Sequence, residues 1–444
     1  MTRRATILLV VAAIVAAPSI VLQATCPGDS CARSGPVRIP FCALPEDLRT
    51  KIAAGYREGR SPDVLAVTGE TRVVGSVPAV GSPTSVGSWP STSPPTDTRT
   101  PIVFWGDGLR GATSVPAGAG LRQLAPTIAE ILRFERPFPG VRSGRAIPDI
   151  AGSDVPRLVL EIAWKGVGTS DLESDPDAWP FLRDLMSSGA GTLDGEAGSL
   201  PLDPSAVLTT IGTGGLPAEH GIVGGRFRDD DGEVVAAWDA GAPSSVIATL
   251  PDDLDRALGQ RPLIGIVGSD PADRGILGNG WYDERDRDDR VTATDGRARM
   301  RAVSRLLGND YGGDDVPDVL AVVMDGSVDS LDSELRRTVR AARSATAGRV
   351  LVVMTATGSG SAPGSGQVEA SDLERIVEAG IDTDAPLIRA VVPGGFYLNQ
   401  RAMTAAGVTG QIAQDAALAA RGPDGSPIFV DAFQGFAVPF GRYC

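Results

Sequence analysis

The chain has 444 residues, 42% of them hydrophobic, and 55 acidic against 41 basic side chains, for a formal net charge of −14. That acidity excludes a nucleic-acid backbone and charge-driven adhesion to anionic lipid as partners. The length allows one large α/β domain or two to three smaller ones, and the apolar fraction can fill a large core.

In chain order, Arg3 and Arg4 precede the apolar run ATILLVVAAIVAAPSIVLQA (5–24), broken at Pro18. Residues 1–24 therefore read as a secretory signal cleaved near Ala24, or as an uncleaved membrane anchor. Either reading makes the protein extracytoplasmic, secreted or held in the cell envelope. The sequence around Cys26, with Gln23 and Thr25 before it, is a poor lipoprotein box.

The four cysteines are Cys26, Cys31, Cys42 and Cys444. An even count in an exported chain points to disulfides, and three connectivities exist. Local closure of CPGDSC between Cys26 and Cys31 leaves Cys42 for Cys444, the alternative being four free thiols. No C-x-x-C spacing is present, which disfavours a zinc knot.

Residues 43–60 are predicted as a helix, 63–67 (DVLAV) as a buried strand, and the Ser/Pro/Gly/Thr-rich stretch 75–100 as a loop. PIVFWG (101–106) is a strand, and 121–134 an amphipathic helix with Leu121, Leu124, Ile128, Ile131 and Leu132 on one side. Residues 146–156 read as a linker. RLVLEIAW (157–164) is apolar throughout, as expected of a strand covered on both faces.

Helices follow at AWPFLRDLMSSGA and SAVLTTIGTG. GRFRDDDGEVVAAW is a hairpin turning at Asp-Gly. DVLAVVM (318–324) leads to the helical SELRRTVRAARSA, and RVLVVMTA (349–356) is one more strand. Alternating strands and helices predict an α/β fold with a mainly parallel sheet flanked by helices.

In such sheets chemistry gathers beyond the C-terminal ends of strands. The loops there are Lys165-Gly166-Val167-Gly168, Asp325-Gly326-Ser327, Thr357-Gly358-Ser359 and Gly106-Asp107-Gly108. A two-zinc hydrolase needs about six or seven His and carboxylate ligands at such a place. His220 is the only histidine in the chain.

Several blocks resemble the alkaline phosphatase superfamily, in particular its type I phosphodiesterase/nucleotide pyrophosphatase-like branch. RLVLEIAWKGVG is similar to the strand that normally ends in Asp-Gly. WPFLRDLMSSGA is similar to the helix after it, and TTIGTGGLPAEHGIVGGRFRDDDGEVVAAW to the nucleophile helix, the HGI turn and the next hairpin. DVLAVVM and VLVVMTA resemble the strands carrying further ligands. GRSPDVLAV, VGSPT, TPIVFWGDGL and LAPTIAEIL resemble the blocks that close the fold. Together they cover most of residues 50–360.

Two departures follow from the resemblance. The closing blocks come first here, which implies circular permutation. The domain plan is then one alkaline-phosphatase-like domain over 42–444, with permuted blocks at 42–145, a linker at 146–156 and the remainder at 157–444. The new ends carry Cys42 and Cys444, so a disulfide there would tie the severed connection.

The ligand positions have also changed. Lys165 stands for the first Asp, Pro204 or Leu202 for the Ser/Thr nucleophile, Thr357-Gly358 for an Asp-His pair, and Val80-Gly81 for a His-Gly. The loop opening at Asp325 has lost its His. His220 matches a structural histidine of the family rather than a ligand.

Weighed residue by residue, Lys165 is expected either to fill the vacated metal pocket beside Asp325 or Asp329, or to snorkel from a strand end. Ser205 is expected to cap its helix rather than act as a displaced nucleophile. DERDRDDR (283–290) lacks the spacing of a calcium loop and reads as solvated surface, and TGSGSAPGSG (357–366) lacks the Lys of a P-loop.

The reading is an exported pseudoenzyme without metal or other cofactor, binding or scaffolding in the envelope with a protein partner. The alternative is an active phosphodiesterase, phosphatase or sulfatase-like hydrolase with a rearranged site, in which zinc would be the cofactor.

Overall fold

A computed structural model describes residues 39–444 apart from 70–71, 75–88, 92–96, 112–113, 279–280, 283–286, 360–365, 369, 382, 384 and 423. The N-terminal segment, Cys26, Cys31, Val80 and much of the 283–290 and 357–366 runs lie outside the described residues. Pro40–Cys444 forms one compact unit.

Its centre is a seven-stranded sheet in the order Ala190–Glu196, Arg99–Gly106, Val350–Ala356, Leu158–Trp164, Asp318–Met324, Ile264–Gly268, Asp289–Thr292. The Leu158–Trp164, Asp318–Met324 and Val350–Ala356 strands are buried along their whole length and pair in parallel. Their Val/Leu/Ile runs suit a sheet covered on both faces, because alternate side chains enter two different cores.

Val159, Ala163, Val319, Val323 and Leu351 join a cluster containing Leu124, Val207 and Leu250 of the helices on one side. Leu158, Leu160, Ile162, Leu320 and Val322 join Leu335 and Val339 of the long helix Val328–Ala345 on the other. Glu161 interrupts the first set. Burial pushes its carboxyl up to about 8, so the acid is held mostly protonated in the core at neutral pH.

One expectation is corrected here. The strand containing PIVFWG, Arg99–Gly106, runs antiparallel to Val350–Ala356, with Gly106 opposite Leu351 and Ile102 opposite Thr355. Its C-terminal loop, Gly106-Asp107-Gly108, therefore lies at the far edge of the sheet from the other loops. There Asp107 N–H donates to Val350 O, and a Cβ on Gly106 would sit 2.2 Å from that same oxygen, so glycine is required.

Boundaries shift where caps intervene. The helix expected at 43–60 is Glu46–Gly55, and the one at 121–134 is a 3-10 turn, Leu121–Gln123, running into Leu124–Ile131. Residues 146–156 contain no helix or strand but are firmly docked. Ile147 and Ile150 are fully buried, and Ala151 bridges to Leu109.

A second, antiparallel sheet has the order Ile388–Val392, Gly395–Leu398, Val64–Thr68, Phe429–Gln434. It pairs an early strand with the last one, Leu65 facing Phe433 and Ala66 facing Ala432. The same junction holds the chain ends. Phe41 lies 4.8 Å from Phe433 between ring centroids, and its N–H donates to Asp431 Oδ2. Cys42 and Cys444 are joined as a disulfide, with Cα atoms 5.2 Å apart. Among the described residues no helix is long and apolar enough to cross a membrane.

Candidate functional site

The C-terminal ends of the parallel strands bring Lys165, Asp325, Thr357 and the turn after Ile264–Gly268 to one edge of the sheet. Lys165 continues the Leu158–Trp164 ladder, donating its N–H to Met324 O, and is almost fully buried. Its Nζ donates to Asp273 Oδ1 at 2.9 Å, with both side chains under 10% exposed.

Asp273 sits on the 3-10 helix Pro271–Ile276, which Asp270 caps by accepting from Ala272 N–H. The second oxygen of Asp273, Oδ2, accepts from Ser269 N–H, Ser269 Oγ–H and Asp270 N–H at 2.8–2.9 Å. Both oxygens of the acid are thus engaged.

The expected partners of Lys165, Asp325 and Asp329, are corrected by this geometry. Asp325 is bound by Arg299, which donates from Nη1 to its carboxylate and from Nη2 to its backbone oxygen, while also holding Glu334 through Nε and Nη2. Asp329 is exposed in the first turn of the Val328–Ala345 helix. The sequence carried one signal for Asp273 that the reading missed. It is the Asp-Pro-x-Asp pattern directly after an apolar strand, which caps a helix start and turns an acid back over the sheet edge.

Thr357 and Gly358 serve the same loop as Lys165. Thr357 Oγ1 accepts from Gly166 N–H at 2.9 Å, Thr357 N–H donates to Trp164 O, and Gly358 N–H donates to Val167 O. A Cβ on Gly358 would lie 2.7 Å from Leu202. Neither residue supplies the carboxylate or imidazole that the resemblance implies there.

Ser205 is the second residue of the helix Pro204–Thr213, and Asp203, not Ser205, caps it, accepting from Ser205 N–H at 2.9 Å. Pro204 cannot donate there and has a fixed φ suited to a helix start, so the carboxylate at the preceding position takes the cap. Burial raises the Asp203 pKa, opposed by hydrogen bonds from the Gly225, Ser205 and Ala206 backbone and by the charge of Lys165.

His220 ends the short helix Pro217–His220 and is fully buried. Nδ1 accepts from Ile222 N–H at 3.1 Å, so the ring proton is on Nε2, which meets Thr210 Oγ1 at 3.1 Å. Burial, then the charge of Arg60, pushes its pKa down to about 3.

The neutral ring is native, whereas the unfolded ring takes a proton below about 6.5. Stability from this residue is therefore present above pH 6.5 and lost as the pH falls towards 3. The stability gap between wild type and His220→Gln is expected to shrink by about 1.4 kcal/mol per pH unit between pH 6 and 4. Urea denaturation across that range measures it, and a gap independent of pH contradicts the assignment.

The resemblance implies a zinc pair, and the donors do not fit one. A cation stands at the first position, Asp273 is spent on it and on three N–H or O–H donors, and Asp325 is spent on Arg299. Among the described residues no group of three or more His, Cys, Asp or Glu side chains could hold a metal.

The fold is a mainly parallel α/β sheet flanked by helices, with its candidate site at the strand ends. More narrowly, residues 159–264 match the model of the type I phosphodiesterase / nucleotide pyrophosphatase family, so the resemblance read from the sequence stands. No curated protein matches the chain. Among solved structures it is similar to alkaline phosphatase PafA, wild type (13% identity, 60% of this chain and 76% of that one, TM-score 0.43) and a multiply substituted form (13%, 60% and 77%, 0.44).

Proposed function

We propose that this is an exported, alkaline-phosphatase-like pseudoenzyme of the cell envelope, with circularly permuted chain order and a binding or scaffolding role in place of metal-dependent hydrolysis. The observation that carries this reading is the Lys165–Asp273 pair. A fixed ammonium stands at the strand end where the family places an acidic ligand, and both oxygens of the acid beside it accept hydrogen bonds. An ion bound there would have to displace a buried cation and strip Asp273 of its donors.

The permutation is supported by the chain ends. They meet at a disulfide, and an early strand pairs with the last one. Export is supported by that disulfide, which suits an oxidising compartment.

The test is elemental analysis of the purified protein with a thermal-shift titration of zinc and manganese, alongside turnover of nitrophenyl phosphate mono- and diesters. We expect less than a tenth of an equivalent of metal, no rise in Tm and no turnover. Stoichiometric zinc with a raised Tm, or metal-dependent turnover, overturns the reading in favour of a working hydrolase.

A further inference from the structure

The last nine residues before the terminal cysteine, Gly435–Tyr443, form a 3-10 segment that faces two ways. Val438 points into the core, while Phe436, Phe440 and Tyr443 are 63%, 61% and 71% exposed. Three large aromatics held outward in eight positions are costly in water and mark a contact surface. Beside them, the guanidinium of Arg442 stacks 4.8 Å from the Tyr443 ring centroid.

What covers this surface is argued from where the chain enters the unit. Phe41 lies directly beneath the segment: a Cβ on Gly441 would be 2.4 Å from its ring. The next residue, Cys42, is covalently joined to Cys444. The aromatic collar and the point of entry are therefore one rigid piece. Upstream of Pro40 lies the apolar run 5–24, joined through Thr25–Ile39, a tether that reaches at most about 55 Å when extended.

We propose that the collar of Phe436, Phe440 and Tyr443 lies in the headgroup–acyl boundary of the membrane that residues 5–24 anchor. The inference rests on the anchor reading of that run and is independent of the metal question. Ring-bearing side chains flanked by arginine are what a bilayer interface accepts. With a net charge of −14, the contact must be made by apolar insertion into a lipid surface of low charge, not by attraction to anionic headgroups.

The experiment uses the full chain with a protease site inserted between Ser34 and Gly35, reconstituted into phosphatidylcholine vesicles. After cleavage, the freed unit is followed by flotation. We expect it to stay with the vesicles and to resist release by 1 M salt. Phe436→Ser with Phe440→Ser should lower the bound-to-free ratio by at least about tenfold, since each exchange removes a large apolar side chain from lipid.

Unchanged Tm and an intact Cys42–Cys444 peptide on non-reducing mapping establish that the variant is folded. A chain that does not float before cleavage overturns the proposal. So does a wild-type unit that leaves the vesicles as completely as the variant. A freed unit that sediments as a dimer, broken by the same two substitutions, assigns the face to a second copy and overturns it as well.

Discussion

Replacing Cys42 and Cys444 together by serine is expected to lower the unfolding free energy by about 6 kcal/mol, from the chain-entropy cost of opening a very long loop. The two residues are separated by 402 positions, so the bond constrains nearly the whole unfolded chain of the compact unit. Loop-closure entropy grows only logarithmically with length, which is why the figure is not larger. In a unit of this size, with an unfolding entropy of about 2.1 cal/mol/K per residue, such a loss lowers Tm by about 7 °C.

The native contacts at the junction do not depend on the bond. Phe41 N–H still donates to Asp431, and the Val64–Thr68 strand still pairs with Phe429–Gln434. The fold should therefore persist while the ends fray first. Differential scanning calorimetry of the double variant against wild type checks the value. A change below 1 °C would mean that the ends are held by packing alone, and it would remove the argument that the bond repairs a severed connection.

The sheet was legible where burial is two-sided. Leu158–Trp164, Asp318–Met324 and Val350–Ala356 are continuous apolar runs, and only a covered strand tolerates that pattern. Strand direction was not legible. PIVFWG carries the same composition as its parallel neighbours yet runs the other way, because direction is set by the connections before and after it rather than by its side chains. That placed Gly106-Asp107-Gly108 at the wrong end.

The second sheet was largely missed. Ile388–Val392 and Gly395–Leu398 are short, and the pairing of Gly395–Leu398 with Val64–Thr68 spans more than three hundred residues of chain. No local pattern encodes such a contact.

At the site, Lys165 was legible and its partner was not. Lys165 could be marked as a cation at a strand end. Choosing among Asp325, Asp329 and Asp273 needed the knowledge that Arg299 takes the first, solvent the second, and a capped 3-10 turn aims the third. Asp203 escaped notice because Ser205, the better-known capping type, stood two residues away. Pro204 fixes the helix start two residues earlier than a Ser205 cap would have.

Lys165→Ala is expected to destabilise the protein by about 3–5 kcal/mol, the range for removing one partner of a buried ion pair. The loss comes chiefly from Asp273. Its Oδ1 loses the ammonium, while Oδ2 remains fixed by Ser269 and Asp270, so the charge cannot swing out to water. Lys165→Met with Asp273→Asn should recover most of that loss. The amide oxygen still accepts from the Ser269 and Asp270 N–H groups, methionine fills the stem volume, and neither buried charge remains.

Lys165→Met alone, Asp273→Asn alone and the two together form with the wild type a cycle in which a large coupling identifies a desolvated pair. Chemical denaturation of all four proteins gives the coupling directly. If Lys165→Ala costs less than about 1 kcal/mol, the pair behaves like a solvated surface bridge. Lys165 would then not be standing in for a metal's positive charge at the strand ends, and the pseudoenzyme reading would lose the observation on which it rests. A coupling of several kcal/mol instead means that the positive charge at this edge is built into the fold, and that admitting a metal there would cost the protein its own internal counter-ion.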